Sequence, residues 1–191
     1  MYSTIDKDIA IKLLKEVGAE LSKSGLNATM DVHGGIAMAL TITPLYSSAD
    51  IDMRISQVTY SKFKSITDVV GKRYGLANDW LNSDVVPIID SCMKKETITD
   101  YEVYDGLTVR LPAAEQLLAM KVFSARLGDD EHDFYHAIAL CKELKISEWF
   151  EIEAVLKKFV REDAINEQNR TKGRHRCVHN FIDELVKELK S

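Results

Sequence analysis

The most constraining feature of this chain is a pair of acidic residues placed two positions apart in an otherwise apolar stretch, Ser48-Ala49-Asp50-Ile51-Asp52-Met53. In a β-strand, side chains alternate between the two faces, so Asp50 and Asp52 would share one face and Ile51 would take the other. Two carboxylates held side by side repel each other unless a cation lies between them. The cation that best fits is a hard, oxygen-preferring ion such as Mg²⁺ or Mn²⁺. Taken alone, the pair predicts a metal site or, equally, an edge strand with a solvated polar face.

A pair of glycines, Gly34-Gly35, precedes the two acids and follows a short apolar run at residues 30–33. Residues 36–40 form a helical pattern, so the predicted order is strand, glycine turn, helix. Glycines let a backbone approach a ligand closely, and the helix after them would direct N–H groups at an anion. A tight structural turn is the favoured explanation for the glycines alone. Combined with the acids, they predict a phosphate beside the metal.

The first part of the chain mixes helix and strand patterns up to residue 111, and Asp105-Gly106 is a strong hairpin turn signal. Residues 76–87 carry mixed signals that favour neither type. The predicted helices are 6–24, 36–40 and 60–74, and the predicted strands are 30–33, 50–55, 97–104 and 107–111. These elements predict a mixed α/β core.

After residue 111 the pattern is helical, since Pro112 suits the first position of a helix and Gly128 would end that helix. Further helices are predicted at about 130–144, 147–161 and 174–189, and the polar residues 166–172 predict a loop. We therefore expect an α/β (α+β) fold, with a core at residues 1–111 and a helical portion at residues 112–191 packed on it.

Lys121 lies on the apolar stripe of the helix predicted after Pro112. Lysine is depleted from buried stripes unless it has an anionic partner or ligand, although a lysine at the edge of a stripe commonly extends to solvent. Asp133 lies at the border of the stripe of the next helix, where it would face Lys121 or Arg126. The pattern favours a functional lysine supported by an aspartate.

Two further groups favour a structural explanation. His132 and His136 have a zinc-compatible i, i+4 spacing, but no third ligand is evident and solvated histidines are expected. The basic cluster at residues 172–176 would suit nucleic acid, but a charged helix start explains it more simply.

Composition argues against several classes of protein, although it leaves a local basic groove possible. A net charge of −5 and a pI near 5.6 give no overall basic footprint for coating nucleic acid. Three widely spaced cysteines form no Cys-x-x-Cys pair and suggest neither a disulfide framework nor a zinc knuckle. The first residues lack the pattern of a signal peptide, and no apolar run is long enough to span a bilayer, so a cytoplasmic protein is expected.

The two motifs together resemble the nucleotidyltransferase superfamily, whose hallmark is a strand, a Gly-Gly or Gly-Ser pair opening a short helix, and Asp-x-Asp on the next strand. Here these are Val32-His33-Gly34-Gly35-Ile36-Ala37 and Asp50-Ile51-Asp52-Met53. Asn78-Asp79-Trp80-Leu81-Asn82 is similar to a segment of bacterial nucleotidyltransferase-like proteins. Leu117-Leu118-Ala119-Met120-Lys121 and the later Asp133 are similar to helices of that group and of the abortive-infection AbiEii/AbiGii toxins. The resemblance covers residues 28 to 145.

The resemblance implies a mixed β-sheet with flanking helices and an enzyme that moves an NMP from an NTP to an acceptor hydroxyl. In such an enzyme Asp50 and Asp52 would be catalytic and would hold Mg²⁺ or Mn²⁺. Gly34 and Gly35 would let the triphosphate pass close to backbone N–H groups, and Ser48 would form a hydrogen bond with it.

The helical half would contribute two more catalytic residues under the same resemblance. Lys121 would bind the nucleotide and neutralise the charge on the leaving pyrophosphate, and Asp133 would support it or act in catalysis. The acceptor would be a tRNA end, a protein or a small molecule. The toxin branch further implies an antitoxin as a partner.

The chain departs from the family pattern in three ways, one of which is that no acceptor-binding part is identifiable. Where many relatives have Arg-x-Thr-x before the acids, this chain has Tyr46-Ser47-Ser48-Ala49, which supplies a hydroxyl but no positive charge. The candidates for a third carboxylate, Asp90, Asp100 and Glu102, lie in no recognisable motif. Two alternatives therefore stay open: a non-catalytic nucleotide-binding or regulatory member, and a structural protein that docks a partner through helices 147–161 or 174–189.

Overall fold

The computed structural model describes residues 4–94, 97–124, 131–171 and 177–191. Within these ranges the chain forms nine α-helices and a five-stranded mixed β-sheet, which confirms the predicted α+β class. The helices are α1 (Lys7–Lys23), α2 (Gly34–Thr41), α3 (Tyr60–Tyr74), α4 (Val86–Cys92), α5 (Ala114–Phe123), α6 (Glu131–Leu144), α7 (Trp149–Phe159), α8 (Glu162–Thr171) and α9 (Val178–Leu189). The strands are β1 (Ala28–Val32), β2 (Ile51–Ser56), β3 (Leu81–Asn82), β4 (Ile98–Tyr104) and β5 (Leu107–Pro112).

The chain divides into two compact units. The first, called the sheet unit, comprises Met1–Ile88 and Ile98–Pro112, and the second, called the helical unit, comprises Ile89–Thr97 and Ala113–Ser191. Along the described ranges, no helix combines the length and the apolar character needed to cross a bilayer.

The sheet has the strand order β3-β2-β1-β5-β4, so β1 occupies its centre. Strand β1 pairs antiparallel with β2 and parallel with β5, and β2 pairs parallel with the short β3. Strands β4 and β5 form the predicted hairpin around Asp105-Gly106. The pairing of β1 with β2 places the glycine turn and the two acids at the same end of the sheet.

One face of the sheet is apolar and carries the core of the sheet unit. Its side chains come from the three central strands and are fully or almost fully buried: Met30, Val32, Ile51, Met53, Leu107 and Val109. Helix α1 packs on this side, and its Gly18 allows a close approach, because a β-carbon there would lie 2.6 Å from the carbonyl oxygen of Asp105. Burial of these residues fixes the strand register, and with it the face that Asp52 occupies.

The other face of the sheet carries a row of charges. Register pairs Asp31 with Arg54 on β2 and with Arg110 on β5. Arg110 donates to both carboxylate oxygens of Asp31, with Nε–Oδ1 at 2.6 Å and Nη2–Oδ2 at 3.0 Å. Asp31 is only 4% exposed, so this paired carboxylate ties β1 to β5 inside the sheet unit.

The helical unit has its own apolar core. Within it, helices α6, α7 and α9 each contact α5, and α9 also contacts α6 and α7. Helix α7 begins with a capping box between Glu148 and Glu151. Among its fully or almost fully buried side chains are Leu118, Val122, Leu140, Ile152, Phe181 and Leu185.

Two predictions about elements differ from the structure. Pro112 is the last residue of β5 rather than the first of a helix, because it pairs with Ile98 at the end of the hairpin, and α5 begins at Ala114. Residues 166–171, predicted as a loop, belong to α8, whose buried Ile165 and Gln168 give it a packed side. The unassigned segment 76–87 contains β3 and the start of α4. Gly128, Arg126 and the basic cluster at 172–176 lie outside the described residues.

Candidate metal and phosphate site

The glycine turn lies directly against one of the two acids. The His33 N–H donates to the carbonyl oxygen of Asp52 at 2.8 Å, which continues the β1–β2 ladder up to the turn. Helix α2 begins at the next residue, Gly34, whose φ is +64°. A β-carbon on Gly34 would overlap the carboxylate of Asp52 and would lie 3.2 Å from its Cγ. The Asp52 carboxylate therefore occupies the space that a side chain at the first residue of α2 would fill.

The second glycine lies against Ser48. A β-carbon on Gly35 would be 3.3 Å from Ser48 Cβ and 3.5 Å from its Oγ. The backbone of Ser48 is held by an isolated bridge to Ile5, with N–O distances of 2.6 and 2.9 Å. The structure thus brings together Gly34, Gly35, Ser48 and Asp52, as the sequence motifs suggested.

Asp50 comes immediately before β2, and both of its carboxylate oxygens accept hydrogen bonds. The Ser48 hydroxyl donates to Oδ1 at 3.1 Å, and the Asn82 side-chain amide donates to Oδ2 at 2.9 Å. No local motif of the sequence predicts this role for Asn82. Strand β3, which carries it, is only two residues long, too short to give a strand pattern, and only its pairing of Asn82 with Asp52 brings the amide to the acids.

Lys121 and Asp133 lie in the helical unit and pair with each other. Lys121 Nζ donates to Asp133 Oδ1 at 2.6 Å, and the two side chains are 12% and 17% exposed. Ser124 Oγ lies 3.4 Å from the other oxygen of Asp133. The expected pairing of the lysine with an acid is therefore present, with Asp133 as the partner.

The candidates for a third carboxylate are all exposed. Asp100 and Glu102 are exposed on the outer strand β4, and Asp90 is exposed on α4. Within the described ranges, no group of three or more His, Cys, Asp or Glu side chains is arranged to hold a metal ion. Two carboxylates nevertheless suit Mg²⁺, which proteins commonly hold through one or two carboxylates together with substrate phosphates.

Among the described residues, two histidines are buried. His136 is only 4% exposed, so the expectation that both His132 and His136 are solvated is wrong for His136. His33, between β1 and the glycine turn, is fully buried, and neither ring nitrogen has a hydrogen-bond partner within the described residues. Burial lowers the pKa of His33 from 6.5 to about 4, with Asp31 raising this pKa and Arg54 lowering it. The imidazole is therefore neutral at pH 7.

The site thus offers two oriented carboxylates, a hydroxyl and the first turn of a helix at one end of the sheet. Carboxylate oxygens are donors for a hard cation, and the N–H groups of a first helical turn bind anions. Comparisons with protein-family models, curated proteins and solved structures found no match.

Proposed function

We propose that this protein is a nucleotidyltransferase, which transfers an NMP from an NTP to an acceptor hydroxyl with Mg²⁺ or Mn²⁺. The observation that carries the proposal is the contact between Gly34 and the Asp52 carboxylate. It joins a group that holds a cation to a helix start that binds phosphate, and a metal–triphosphate ligand needs both within a few ångströms.

The residues of the sheet unit have distinct roles in this proposal. Asp50 and Asp52 hold the cation, which when bound neutralises charge on the phosphates. The N–H groups at Gly34 and Gly35 bind the triphosphate, and the absence of side chains there lets it approach the backbone. Ser48, whose hydroxyl hydrogen is donated to Asp50, retains oxygen lone pairs and is proposed as a further contact to the nucleotide.

Lys121 and Asp133 enter the proposal through the family resemblance. The lysine is proposed to neutralise charge on the leaving pyrophosphate, and the aspartate to hold the ammonium through the 2.6 Å contact. Acceleration of the reaction would come from positioning and electrostatic stabilisation.

The acceptor is proposed to be a tRNA end, a protein hydroxyl or a small molecule, and the toxin branch adds an antitoxin as a proposed partner. Incubation with each NTP labelled at the α-phosphate, Mg²⁺, total tRNA and a cell extract that supplies proteins and small molecules, followed by separation of RNA, protein and small products, identifies donor and acceptor together. Label in none of the three fractions, with any of the four NTPs, contradicts the enzyme.

The first prediction concerns the acid pair. Asp50→Asn and Asp52→Asn keep the shape of each side chain but remove its charge, so each should lower NMP transfer on the order of 100-fold or more. Mn²⁺ binding, followed by the free-ion signal in electron paramagnetic resonance, should weaken in parallel. Asp79→Asn removes one exposed carboxylate of the same unit and should leave both measurements unchanged. Full transfer by the double variant of Asp50 and Asp52 would exclude this mechanism.

A second candidate is a non-catalytic nucleotide-binding or regulatory member of the same fold. It is favoured by the absence, among the described residues, of any group of three acids arranged to hold a metal ion, since superfamily enzymes often use a third carboxylate as a base. Calorimetry separates the candidates, because Mg²⁺-dependent NTP binding without labelled product supports the binding protein. Absence of binding contradicts both.

A further inference from the structure

We propose that Asn82 is a positioning residue, which holds the carboxylate of Asp50 in the orientation required to bind the cation of an NTP. The role of Asn82 rests on the proposed function, because it acts on a ligand of that cation. The residue lies in the Asn78–Asn82 segment. That segment is similar to one of bacterial nucleotidyltransferase-like proteins, but the similarity implies no role for Asn82.

The Asp50 carboxylate is held in one orientation by two hydrogen bonds. An aspartate side chain has two rotatable bonds, and an exposed one samples several rotamers. Here Oδ2 accepts from Asn82 Nδ2 at 2.9 Å and Oδ1 accepts from Ser48 Oγ at 3.1 Å. One donor on each oxygen fixes both torsions and still leaves a lone pair on each oxygen for a cation.

The Asn82 amide is itself held in one orientation. Its carbonyl oxygen accepts the backbone N–H of Asp84 at 3.0 Å, in a turn closed by the asparagine side chain. A flipped amide would place its NH2 group against that N–H donor, so the bond from Asp84 determines which end of the amide faces Asp50. Asn82 is only 9% exposed, and water therefore competes weakly for the amide.

Strand β3 is anchored by hydrogen bonds to α3 and β2. Trp80 is 1% exposed, and its Nε1 donates to the carbonyl oxygen of Thr67 on α3 at 3.3 Å. Lys64, also on α3, donates from Nζ to the carbonyl oxygen of Asn78 at 2.6 Å. The carbonyl of Trp80 in turn accepts the N–H of Ile51 at 2.7 Å. Asn82 therefore reaches Asp50 from a strand that is tied to both α3 and β2.

At metal sites, side chains that form hydrogen bonds with the metal-binding residues hold those residues in orientation. These contacts give Asn82 the same role towards Asp50. Removal of such a group commonly lowers metal affinity by about 10- to 100-fold. Neither Asn82 nor Ser48 adds charge, so both hold Asp50 without neutralising its attraction for the cation.

The test measures Mn²⁺ binding to the full chain by electron paramagnetic resonance, with Mn²⁺ alone as the probe. Asn82→Ala should weaken binding by about 10- to 100-fold. The matched control is Asn78→Ala, which truncates an exposed asparagine of the same segment and should change affinity less than about 2-fold, since substitutions at exposed positions usually have small effects.

A purely structural role is separated by two further readouts. Saturating Mn²⁺ should raise the Tm of the wild type and of Asn78→Ala, whereas Asn82→Ala should show a smaller rise at the same Mn²⁺ concentration. The side-chain amide resonance of Asn82 should shift when Mg²⁺ is added to the wild type and should stay unchanged in Asp50→Asn. The resonance test needs no Asn82 variant, so it decides the matter even if Asn82→Ala does not fold.

The outcomes distinguish the two proposals. Wild-type affinity for Mn²⁺ in Asn82→Ala, or an Asn82 resonance that ignores Mg²⁺ while the protein binds it, overturns the positioning role and leaves the nucleotidyltransferase proposal intact. A wild-type protein that binds no Mn²⁺, with or without NTP, overturns both.

Discussion

A side chain at position 34, where the chain has glycine, is disfavoured for two separate reasons. The φ of Gly34, +64°, lies in the left-handed region that L-residues disfavour, and its missing β-carbon would overlap the Asp52 carboxylate. Gly25 shares the first property, with a φ of +65°, but nothing lies within 4 Å of its β-carbon position. Substitutions at the two positions can therefore separate the cost of backbone strain from the cost of contact with Asp52.

The resulting prediction compares Gly34→Ala with Gly25→Ala. Both variants should lose about 1 kcal/mol of unfolding free energy from the left-handed conformation. Gly34→Ala should lose about 1–3 kcal/mol more, because its methyl group must displace the Asp52 carboxylate. Urea unfolding measures the stabilities, and Mn²⁺ binding should weaken only in Gly34→Ala. Equal losses in the two variants would mean that Asp52 moves aside without cost.

Among the elements, β3 shows how a strand of two residues is held in place from outside the sheet. Trp80, just before β3, packs against Gly71 on α3, where a β-carbon would lie 2.6 Å from Nε1 and 2.9 Å from Cδ1 of the indole. Glycine is otherwise a poor residue for the interior of a helix. Its presence in α3 is explained by the space that the indole occupies.

We expect that Gly71→Ala destabilises the sheet unit, although alanine favours helices. The overlap with Trp80 should cost about 1–3 kcal/mol and should outweigh the gain of up to about 1 kcal/mol in helix propensity. Urea unfolding gives the stability, and indole fluorescence reports the movement of Trp80. Ser65→Ala, at an exposed position of the same helix, should change stability by less than about 0.5 kcal/mol. A stabilised Gly71→Ala would show that the indole has room to shift.

Elements with strong local patterns were predictable from the sequence, and those that depend on distant partners were not. Helix α3 has the predicted bounds of residues 60–74, because its apolar spacing and Gly75 are local signals. Strand β3 was missed because Trp80 and Asn82 are placed by α3 and β2, which are distant in sequence. Pro112 was assigned to a helix because its pairing with Ile98 across the hairpin is invisible to a pattern of helix starts.

The candidate site divides in the same way. The glycine turn and the acid pair were predictable because their spacing carries the information. The hydrogen bond from Asn82 to Asp50 and the burial of His33 were not, because both depend on how strands pair and not on which residues are adjacent.

For the molecule as a whole, the buried His33 couples the stability of the sheet unit to pH. Its pKa is lowered from 6.5 to about 4 in the folded protein, so the unfolded chain binds the proton more tightly. The stabilisation is complete above about pH 6.5 and is lost as the pH falls towards 4. A pKa difference of this size corresponds to about 3 kcal/mol.

We therefore expect the unfolding free energy to fall more steeply between pH 6.5 and 4 in the wild type than in His33→Leu, which has no group to titrate there. The difference between the two slopes should accumulate to about 3 kcal/mol, and the acidic residues cancel because both proteins carry them. Denaturant unfolding at several pH values, followed by Trp80 fluorescence in a Trp149→Phe background, measures it. Parallel curves would show that His33 is protonated as readily in the folded chain as in the unfolded one.

The parallel pairing of β1 with β5 has a consequence for the synthesis of this protein. Asp31 on the central strand and its partner Arg110 are 79 positions apart, and the ribosome makes β1 and β2 long before β5. At about 5–20 residues per second, the interval is roughly 4–16 s. Throughout it the edge of β1 that later pairs with β5 is unpaired, the kind of edge that other chains join. We therefore expect the nascent chain to be open to aggregation during this interval, and a chaperone that covers residues 28–32 at the ribosome should protect it.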